Sequence, residues 1–280
     1  MEKWGDKPYH SLDYENKKRF GEKVYKISLA GGTTCPNRDG TLGTRGCCFC
    51  SGSGSGDFAA TKGSITEQIE EAIARVSRYK NAGHHFTAYF QSFTATYAPV
   101  ETLRAAWEEA MTHESVVTLA IATRPDCLGD DVLSLLADYC RKMPVTIELG
   151  LQTIHPDTIR YIRRGYPNSV YETAVKNLQN IGVNVVTHVI AGLPGETKEN
   201  FLDTVRYVAD IGSDGIKLQL LHVLKGTDLA LDYESKMFRT LTPDEYLDYI
   251  TEALSILPPD MVIHRVTGDG PKDLLIAPLW

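Results

Sequence analysis

Four of the chain's six cysteines lie in one stretch, CPNRDGTLGTRGCCFC, at residues 35–50. Cys47 and Cys50 form a close pair, and eleven residues separate Cys35 from Cys47. Soft thiolate ligands select iron–sulfur clusters, zinc or Cu(I), and two cysteines separated by two residues on a loop can bind one metal centre. The stretch therefore predicts a metal centre with Cys35, Cys47 and Cys50 as its ligands.

Three ligands favour an iron–sulfur cluster over zinc. A structural zinc site needs a fourth ligand, and the histidines nearest in sequence, His10 and His84, lack ligand spacing relative to the cysteines. Cys48 directly follows Cys47, which is an awkward position for a second ligand, and its role stays open. A cubane cluster held by three cysteines leaves one iron free to bind a small molecule.

Disulfide bonds and scattered buried thiols are the alternatives to a cluster. The N-terminus is polar and lacks the apolar segment of a secretory signal, so the sequence predicts a cytoplasmic protein, and disulfides are rare in that compartment. Cys127 and Cys140 stand alone in apolar surroundings and are predicted to be core residues.

The composition fits one α/β barrel of 280 residues with 42% hydrophobic residues. A net charge of −7 argues against a broad basic surface for nucleic acid, although a local basic patch remains compatible with it. No apolar run reaches the roughly 18 residues that a membrane span needs, so no membrane partner is expected.

Short apolar runs alternate with amphipathic segments at intervals of roughly 30 residues, which is typical of repeated βα units around a parallel sheet. Six strands are predicted, at Val24–Leu29, Phe86–Phe90, Val116–Ala122, Val145–Leu149, Asn184–Ile190 and Gly215–Leu221. They predict the α/β class and a sheet that curves like a barrel without having to close.

The first helix between these strands is predicted from about Ser64, where Ser64 as N-cap and Glu67 form a capping box. We interpret residues 1–225 as a barrel with an N-terminal extension and residues 226–280 as a C-terminal extension packed on it, within a single domain overall. Four further helices are predicted, at Val100–Thr112, Asp130–Arg141, Ser169–Ile181 and Lys198–Ile211.

Polar and glycine-rich motifs follow the predicted strands, at the edge where parallel α/β proteins carry functional residues. In this order, and together with the cysteine stretch, the motifs resemble those of radical S-adenosylmethionine (SAM) enzymes, in the branch near the elongator catalytic subunit and the small bacterial proteins of the YtqA/YhcC type. The resemblance covers essentially the whole chain and implies a partial (βα)6 TIM-like barrel of the radical SAM type with a C-terminal extension. The motifs are Phe90-Gln91-Ser92-Phe93, Thr123-Arg124-Pro125-Asp126, Glu148-Leu149-Gly150-Leu151-Gln152-Thr153 and Gly192-Leu193-Pro194-Gly195-Glu196.

The resemblance implies two cofactors, a [4Fe–4S] cluster on Cys35, Cys47 and Cys50 and SAM bound at its fourth iron. The first cysteine gap is longer than in the commonest family pattern, in which three and then two residues separate the cysteines. For SAM, the resemblance implies contacts with Phe49 near the adenine, Gln91 and Ser92 at the methionine end, Glu148 as an acceptor, Arg163 or Arg164 at the carboxylate, and Gly192 and Leu193 in a turn beside the adenine.

Several of these residues also have purely structural interpretations. Glu148 lies inside an apolar strand and is alternatively a buried, salt-bridged carboxylate. The 192–195 stretch is alternatively a simple strand-to-helix turn, and His222 is either a core histidine or a residue on the substrate side. The C-terminal tail either closes the barrel mouth or packs outside it, with His264 and Arg265 in solvent.

The elongator-like resemblance implies a transfer-RNA substrate, a wobble uridine whose carboxymethylaminomethyl group at carbon 5 is processed toward aminomethyl. A one-electron donor such as flavodoxin or ferredoxin would supply the enzyme with the electron that its cluster needs. The runner-up is a radical SAM enzyme that acts on a small metabolite or tetrapyrrole, and a third hypothesis is a non-catalytic iron–sulfur electron carrier. The acidic composition counts against RNA, because RNA-binding proteins usually carry a basic surface.

Overall fold

The computed structural model describes residues 4–54, 56–59, 62–268 and 270–280. In this part of the chain, seven strands form one parallel sheet in the order β1-β2-β3-β4-β5-β6-β8, and β7 pairs with β9 in an antiparallel ribbon. The sheet curls into a half-barrel, which confirms the α/β class and the partial barrel. The strands are β1 Tyr25–Leu29, β2 Phe86–Phe90, β3 Val116–Thr123, β4 Val145–Gln152, β5 Asn184–Ala191, β6 Gly215–Leu220, β7 Val223–Leu224, β8 Val262–Arg265 and β9 Leu275–Ala277.

Helices alternate with the strands and cover one face of the sheet. All five predicted helices are confirmed as α2, α3, α4, α6 and α7, and within the described residues no helix has the length and apolar character needed to cross a bilayer. The helices are α1 Leu12–Phe20, α2 Ile65–Tyr79, α3 Val100–Thr112, α4 Asp130–Cys140, α5 Pro156–Tyr161, α6 Asn168–Asn180, α7 Lys198–Ile211, α8 Asp228–Glu234 and α9 Pro243–Ile256.

Four helices, α1, α5, α8 and α9, were not predicted from the sequence, for different physical reasons. α1 is rich in charge and buries only Asn16, so it shows no apolar stripe. α5 and α8 are short, with six and seven residues, and short helices give weak periodicity. α9 did carry a start signal, because Thr242 and Glu245 form a capping box around Pro243 at the first helical position.

The predicted capping box at the start of α2 is confirmed. The Glu67 backbone N–H donates to Ser64 Oγ at 3.2 Å, and the Ser64 backbone N–H donates to Glu67 Oε2 at 2.7 Å. Each bond satisfies a backbone N–H that a free helix end would leave without a partner.

We expect Ser64→Ala to lower the free energy of unfolding by about 1 kcal/mol, because Ala at the N-cap cannot accept that hydrogen bond. Ser77→Ala is the matched control, since Ser77 is exposed within the same helix and Ala favours helix there. Urea unfolding of both variants measures the difference. An equal effect of the two substitutions would contradict a capping role for Ser64.

The sheet has one strand more than predicted. β8 pairs in parallel with β6, with Gly215 opposite Val262 and Ile216 opposite Ile263. Met261–Val266 forms a strand-like run in the sequence, but the strand itself has only four residues, two of them His and Arg, so the run was not assigned to the sheet. It lies within residues 226–280, and the division of the chain at residue 225 stays a prediction.

Alternation along the strands separates an apolar face from a polar one. In β6, Ile216, Leu218 and Leu220 pack in the hydrophobic core, whereas Lys217 and Gln219 line a cavity on the other face. Successive side chains of a strand point to opposite faces, so the concave side of the sheet receives polar residues. This polar lumen is where the candidate site lies.

Candidate functional site

A cavity of about 510 Å³ opens at the carboxyl ends of the strands. Its size falls within the range of about 300–1,000 Å³ that small-molecule sites occupy. Ser92, Arg163, Gly192 and Leu193 are not among the described residues of its lining. The predicted site residues that the cavity brings together are Cys35, Cys47, Phe49, Cys50, Gln91, Glu148 and Arg164.

Hydrogen bonds from Asn37 and Arg38 order the cysteine loop. Asn37 Nδ2 donates to the carbonyl of Arg163 at 2.8 Å and to Cys47 Sγ at 3.5 Å. The Arg38 guanidinium donates to the carbonyls of Cys50 at 3.2 Å and Ser51 at 2.5 Å. Hydrogen bonds to sulfur ligands tune the potential of an iron–sulfur cluster, so Asn37 suits a position beside one.

Cys48 packs in the core, unlike Cys35, Cys47 and Cys50, which line the cavity. It is 4% exposed and packs in an apolar cluster that includes Ile162 and Leu229. Its backbone N–H donates to the carbonyl of Ile162 at 3.3 Å, and its carbonyl accepts from the N–H of Leu229 at 3.0 Å. These contacts place Cys48 between the end of α5 and the start of α8, where its side chain packs against apolar neighbours.

The arrangement of the other three cysteines fits a cluster better than one ion. Within residues 4–54, 56–59, 62–268 and 270–280, no three His, Cys, Asp or Glu side chains converge closely enough to ligate a single metal ion. Tetrahedral zinc needs such convergence, whereas a four-iron cluster places its thiolates on separate irons. Burial raises the pKa of Cys47 to about 12, so binding iron there releases a proton.

Glu148 lies in the middle of β4 and is 1% exposed. Its carboxylate is contacted by side chains from four other strands, β1, β2, β5 and β6. Tyr89 Oη donates to Glu148 Oε2 at 2.6 Å, and His188 Nε2 lies 2.8 Å from the same oxygen. The ammonium groups of Lys26 and Lys217 also contact the carboxylate. These contacts match the structural interpretation of Glu148 as a buried, salt-bridged carboxylate, and its contact with SAM stays a prediction.

The protonation states of this network follow from burial and charge. Burial alone would raise the pKa of Glu148, but Lys217, Lys26 and His188 hold it well below its ordinary range. Burial lowers the pKa of His188 to about 4, so the ring is neutral at pH 7. Because Gln219 Nε2 donates to His188 Nδ1 at 3.2 Å, the proton of the neutral ring lies on Nε2 and points at Glu148.

Arg164 is fully engaged within the protein. It is 1% exposed, and its five N–H groups donate to the carbonyls of Leu151, Thr153 and Tyr166 and to Asn168 Oδ1. This guanidinium therefore stabilises the end of β4 and has no donor left for the carboxylate of SAM.

Arg163 ties the cysteine loop to α8. Its Nε donates to the carbonyl of Gly46 at 2.9 Å, and its guanidinium pairs with Asp228 Oδ2 at 2.5 Å. Arg163 also has a left-handed backbone, with φ of +56°, which few side chains adopt without strain. A role for Arg163 at the SAM carboxylate stays a prediction.

Gln91 and Phe49 line the cavity, whereas Ser92 is buried beside it. Gln91 Oε1 accepts from Ser28 Oγ at 3.0 Å. Ser92 is 7% exposed, and a Cβ on Gly56 would lie 2.1 Å from Ser92 Oγ. Only glycine at position 56 leaves room for this contact, so the loop after the cysteines packs directly on Ser92.

The turn after β5, which contains Gly192 and Leu193, packs against side chains of the protein itself. Gly192 has φ of +85°, and a Cβ there would lie 3.0 Å from the side chain of Leu241. Leu193 is 2% exposed and packs in the same apolar cluster as Cys48. These contacts match the structural interpretation of the turn, and its approach to the adenine stays a prediction.

Several residues of the lumen were not predicted from the sequence. Lys26 and Tyr89 reach Glu148 from β1 and β2, His188 and Lys217 reach it from β5 and β6, and none was predicted. A signal was present, because polar residues alternate with apolar ones in several of these strands. The tail also contributes, since Arg265 of β8 lines the cavity together with His222.

Two family models match the chain. The radical SAM superfamily matches residues 20–208, and the radical SAM C-terminal domain matches residues 213–280. The YtqA protein of Bacillus subtilis is 43% identical over 281 residues, covering 98% of this chain and 85% of YtqA. Protein YhcC of Escherichia coli is 38% identical over 264 residues, covering 94% of this chain and 84% of YhcC.

More distant matches lead to the elongator proteins. Elongator complex protein 3 of Schizosaccharomyces pombe is 25% identical over 270 residues, which is 82% of this chain and 49% of that protein. The solved structure of archaeal Methanocaldococcus infernus Elp3 superposes with a TM-score of 0.67 at 19% identity, covering 90% of this chain and 58% of that one. The structural likeness shows a shared fold.

Proposed function

The chain belongs to the radical SAM superfamily, and from its resemblance to the elongator branch we propose that it modifies transfer RNA, converting a carboxymethylaminomethyl group at carbon 5 of the wobble uridine toward aminomethyl. Its cofactors are a [4Fe–4S] cluster and SAM. When bound, they supply a one-electron cleavage of SAM that yields a 5′-deoxyadenosyl radical able to abstract a hydrogen atom from carbon. A flavodoxin or ferredoxin would supply the electron.

The cysteine loop would hold the cluster through Cys35, Cys47 and Cys50. Asn37 and Arg38 keep the loop in shape by binding a thiol and two loop carbonyls. The pairing of Arg163 with Asp228 fixes the other side of the loop. These contacts orient the thiols before a metal binds, which lowers the cost of ordering them.

The proposal rests above all on one observation, that a single cavity contains the three cysteines at one side and the polar lumen of the barrel at the other. A radical formed beside the cysteines would therefore meet a substrate group inserted into the lumen. The resemblance of the sequence motifs to the elongator branch favours a nucleoside as that substrate, and elongator complex protein 3 of Schizosaccharomyces pombe is among the proteins similar to this chain. Phe49 and Gln91 line the same space and are our proposed contacts with SAM.

The test uses anaerobically reconstituted protein, SAM, dithionite and a synthetic anticodon stem–loop that carries the carboxymethylaminomethyl uridine. We expect aminomethyl uridine, glyoxylate and 5′-deoxyadenosine to form in proportion, because SAM would accept two electrons from the carboxymethyl group and water would then release that group as glyoxylate. Chromatography with mass spectrometry measures all three products. The same stem–loop with unmodified uridine is the control. Production of 5′-deoxyadenosine with no change in the modified nucleoside would refute the proposed substrate.

A small metabolite or tetrapyrrole is the second candidate substrate. The net charge of −7 and a cavity of about 510 Å³ favour it, since neither feature requires a polynucleotide. Salt separates the two candidates, because RNA affinity falls steeply as phosphate contacts are screened. Binding of the stem–loop that falls at least tenfold between 50 and 200 mM salt, on the order expected for several phosphate contacts, would support RNA.

A further inference from the structure

One corner of the cavity lies between β5, β6 and β8, away from the cysteine loop in sequence and in the sheet order. Lys217 there is 4% exposed, while Arg265 is exposed and its side chain borders the same space. Gly268 and Gly270 lie near His222, since a Cβ on either would be 3.7 or 3.4 Å from its ring. The polar residues of this corner are His188, Lys217, Gln219, His222 and Arg265.

The lining of the cavity is cationic although the whole chain carries a net charge of −7. Among the described residues of the lining, there are five Lys or Arg side chains and two carboxylates, Asp57 and Glu148. Such an excess of one sign inside a cleft attracts a ligand of the other sign. The ligand of this cavity is therefore expected to include an anionic group.

Most of these cations already have partners on the cysteine side. Arg38 and Arg164 donate mainly to backbone carbonyls, and Arg124 forms a two-point pair with Asp126, at 2.9 and 2.7 Å. These contacts hold the loops after β1, β3 and β4. They do not account for the cations of the β6–β8 corner.

In that corner the positive charge exceeds the negative. Glu148 is the carboxylate that Lys217 contacts, and the same carboxylate also forms an ion pair with Lys26. Within the described residues, the side chain of Arg265 takes part in no ion pair or hydrogen bond, although its backbone pairs with Lys217 in the sheet. The positive charge of Arg265 opposes protonation of Lys217, so the two groups repel each other across the corner. A bound anion would remove this repulsion.

We propose that Arg265 and Lys217, which lie opposite each other in the register of β8 and β6 and both line the cavity, form the binding site for the carboxylate of the substrate's side chain. This proposal rests on the proposed function, in which the wobble uridine carries a carboxymethyl group. The planar guanidinium of Arg265 matches the two oxygens of a carboxylate, and Lys217 adds a compact charge. The phosphates of an RNA belong to its backbone and would stay outside the barrel. When a base is inserted into the cavity, the carboxylate on its side chain is therefore the anion that can reach Arg265 and Lys217.

Burial supports the assignment by its effect on Lys217. Burial lowers the pKa of Lys217 to about 7, with Lys26 and Arg265 acting in the same direction and Glu148 opposing them. A carboxylate bound beside Lys217 favours its ammonium form, so binding should take up protons near neutral pH. Tyr89, His188 and Glu148 also contact this network, and His188 is neutral there.

The test compares two anticodon stem–loops that differ only in the wobble uridine, one with the carboxymethylaminomethyl group and one with the aminomethyl group. The reconstituted protein with SAM binds each RNA, and fluorescence anisotropy gives the Kd. We expect Arg265→Gln and Lys217→Met each to weaken binding of the carboxylate-bearing RNA by about 10–100-fold, as loss of a charged hydrogen bond does. Binding of the aminomethyl RNA should change less than about twofold, within the scatter expected for a contact that is not made.

Three further measurements decide between sources of the effect. Lys176→Gln is the control for loss of one charge, because Lys176 is exposed on α6. Arg265→Lys should recover part of the affinity. The affinity for SAM is measured in every variant, and a loss of SAM affinity in Arg265→Gln would overturn the proposal by assigning the corner to the carboxylate of SAM.

Equal weakening for both RNAs, or no weakening for either, would also overturn the proposal while leaving the proposed function intact. If the wild type binds neither RNA, the proposed function fails, and N-methylglycine becomes the deciding probe of the corner. Saturable binding of N-methylglycine to the wild type, lost in Arg265→Gln and Lys217→Met, would support the carboxylate site on its own. Failure of the wild type to bind it would refute that site.

Discussion

Cys35→Ala, Cys47→Ala and Cys50→Ala are each expected to lose the iron–sulfur cluster and to reduce 5′-deoxyadenosine formation to background. Each of these thiols lines the same cavity, and each substitution would leave the cluster with two of its three proposed protein ligands. Iron and sulfide content, the visible absorption of the cluster and chromatography of 5′-deoxyadenosine measure the loss after anaerobic reconstitution.

Cys48→Ala is the decisive comparison, because Cys48 is next to Cys47 in sequence but packs in an apolar cluster. It should retain the cluster and SAM cleavage, with a loss of stability of about 1 kcal/mol for the smaller side chain. Cys140→Ala is a second control, since Cys140 packs against the main hydrophobic core from the end of α4. A cluster that survives in Cys47→Ala and disappears in Cys48→Ala would reverse the assignment of the ligands.

Glu148→Gln should lower the free energy of unfolding by about 3–5 kcal/mol, because it leaves buried ammonium groups without their counter-charge. Glu148 is 1% exposed and contacts both Lys26 and Lys217. Urea unfolding followed by circular dichroism at pH 7 measures the change. Glu199→Gln is the matched control, because Glu199 forms an exposed pair with Arg206, and it should cost less than about 1 kcal/mol.

The pH dependence of this effect has a defined sign. The pKa of Glu148 in the folded protein lies well below its ordinary value of 4.5, so its stabilising contribution is present above pH 4.5 and is lost as the pH falls through the folded pKa. The difference between wild type and Glu148→Gln should therefore shrink in acid. Adding Lys217→Met to Glu148→Gln should restore part of the stability at pH 7. A difference that stayed constant into acid, with no recovery in the double variant, would contradict the buried ion pair.

Local sequence patterns were sufficient for most of the βα framework. The capping box of Ser64 and Glu67 lies within four residues, and the apolar faces of the predicted helices repeat within a few turns. The strand β8 was missed because its four residues become part of the sheet only by pairing with β6. Long-range pairing of this kind leaves no mark on a short segment.

The candidate site divides in the same way. The spacing of Cys47 and Cys50 and their specific chemistry pointed to one site, and the structure places both with Cys35 in one cavity, whereas their role as ligands stays a prediction. Arg164 was assigned to a carboxylate because a guanidinium suits one, but in the structure its five N–H groups donate to the protein itself. Most of its partners are backbone carbonyls. Every residue type has such a carbonyl, so the sequence does not indicate which ones will face Arg164.

By itself, the sequence determined the order of strands and helices and the cysteine loop after the first strand, because these depend on local periodicity and spacing. Only the tertiary structure decided that Cys48 turns into the core while its neighbours face the cavity. It also decided that Lys26, Lys217 and His188 meet Glu148 across 122, 69 and 40 residues of chain. Those contacts depend on the curl of the sheet, which brings distant strands around one lumen and buries their charges together.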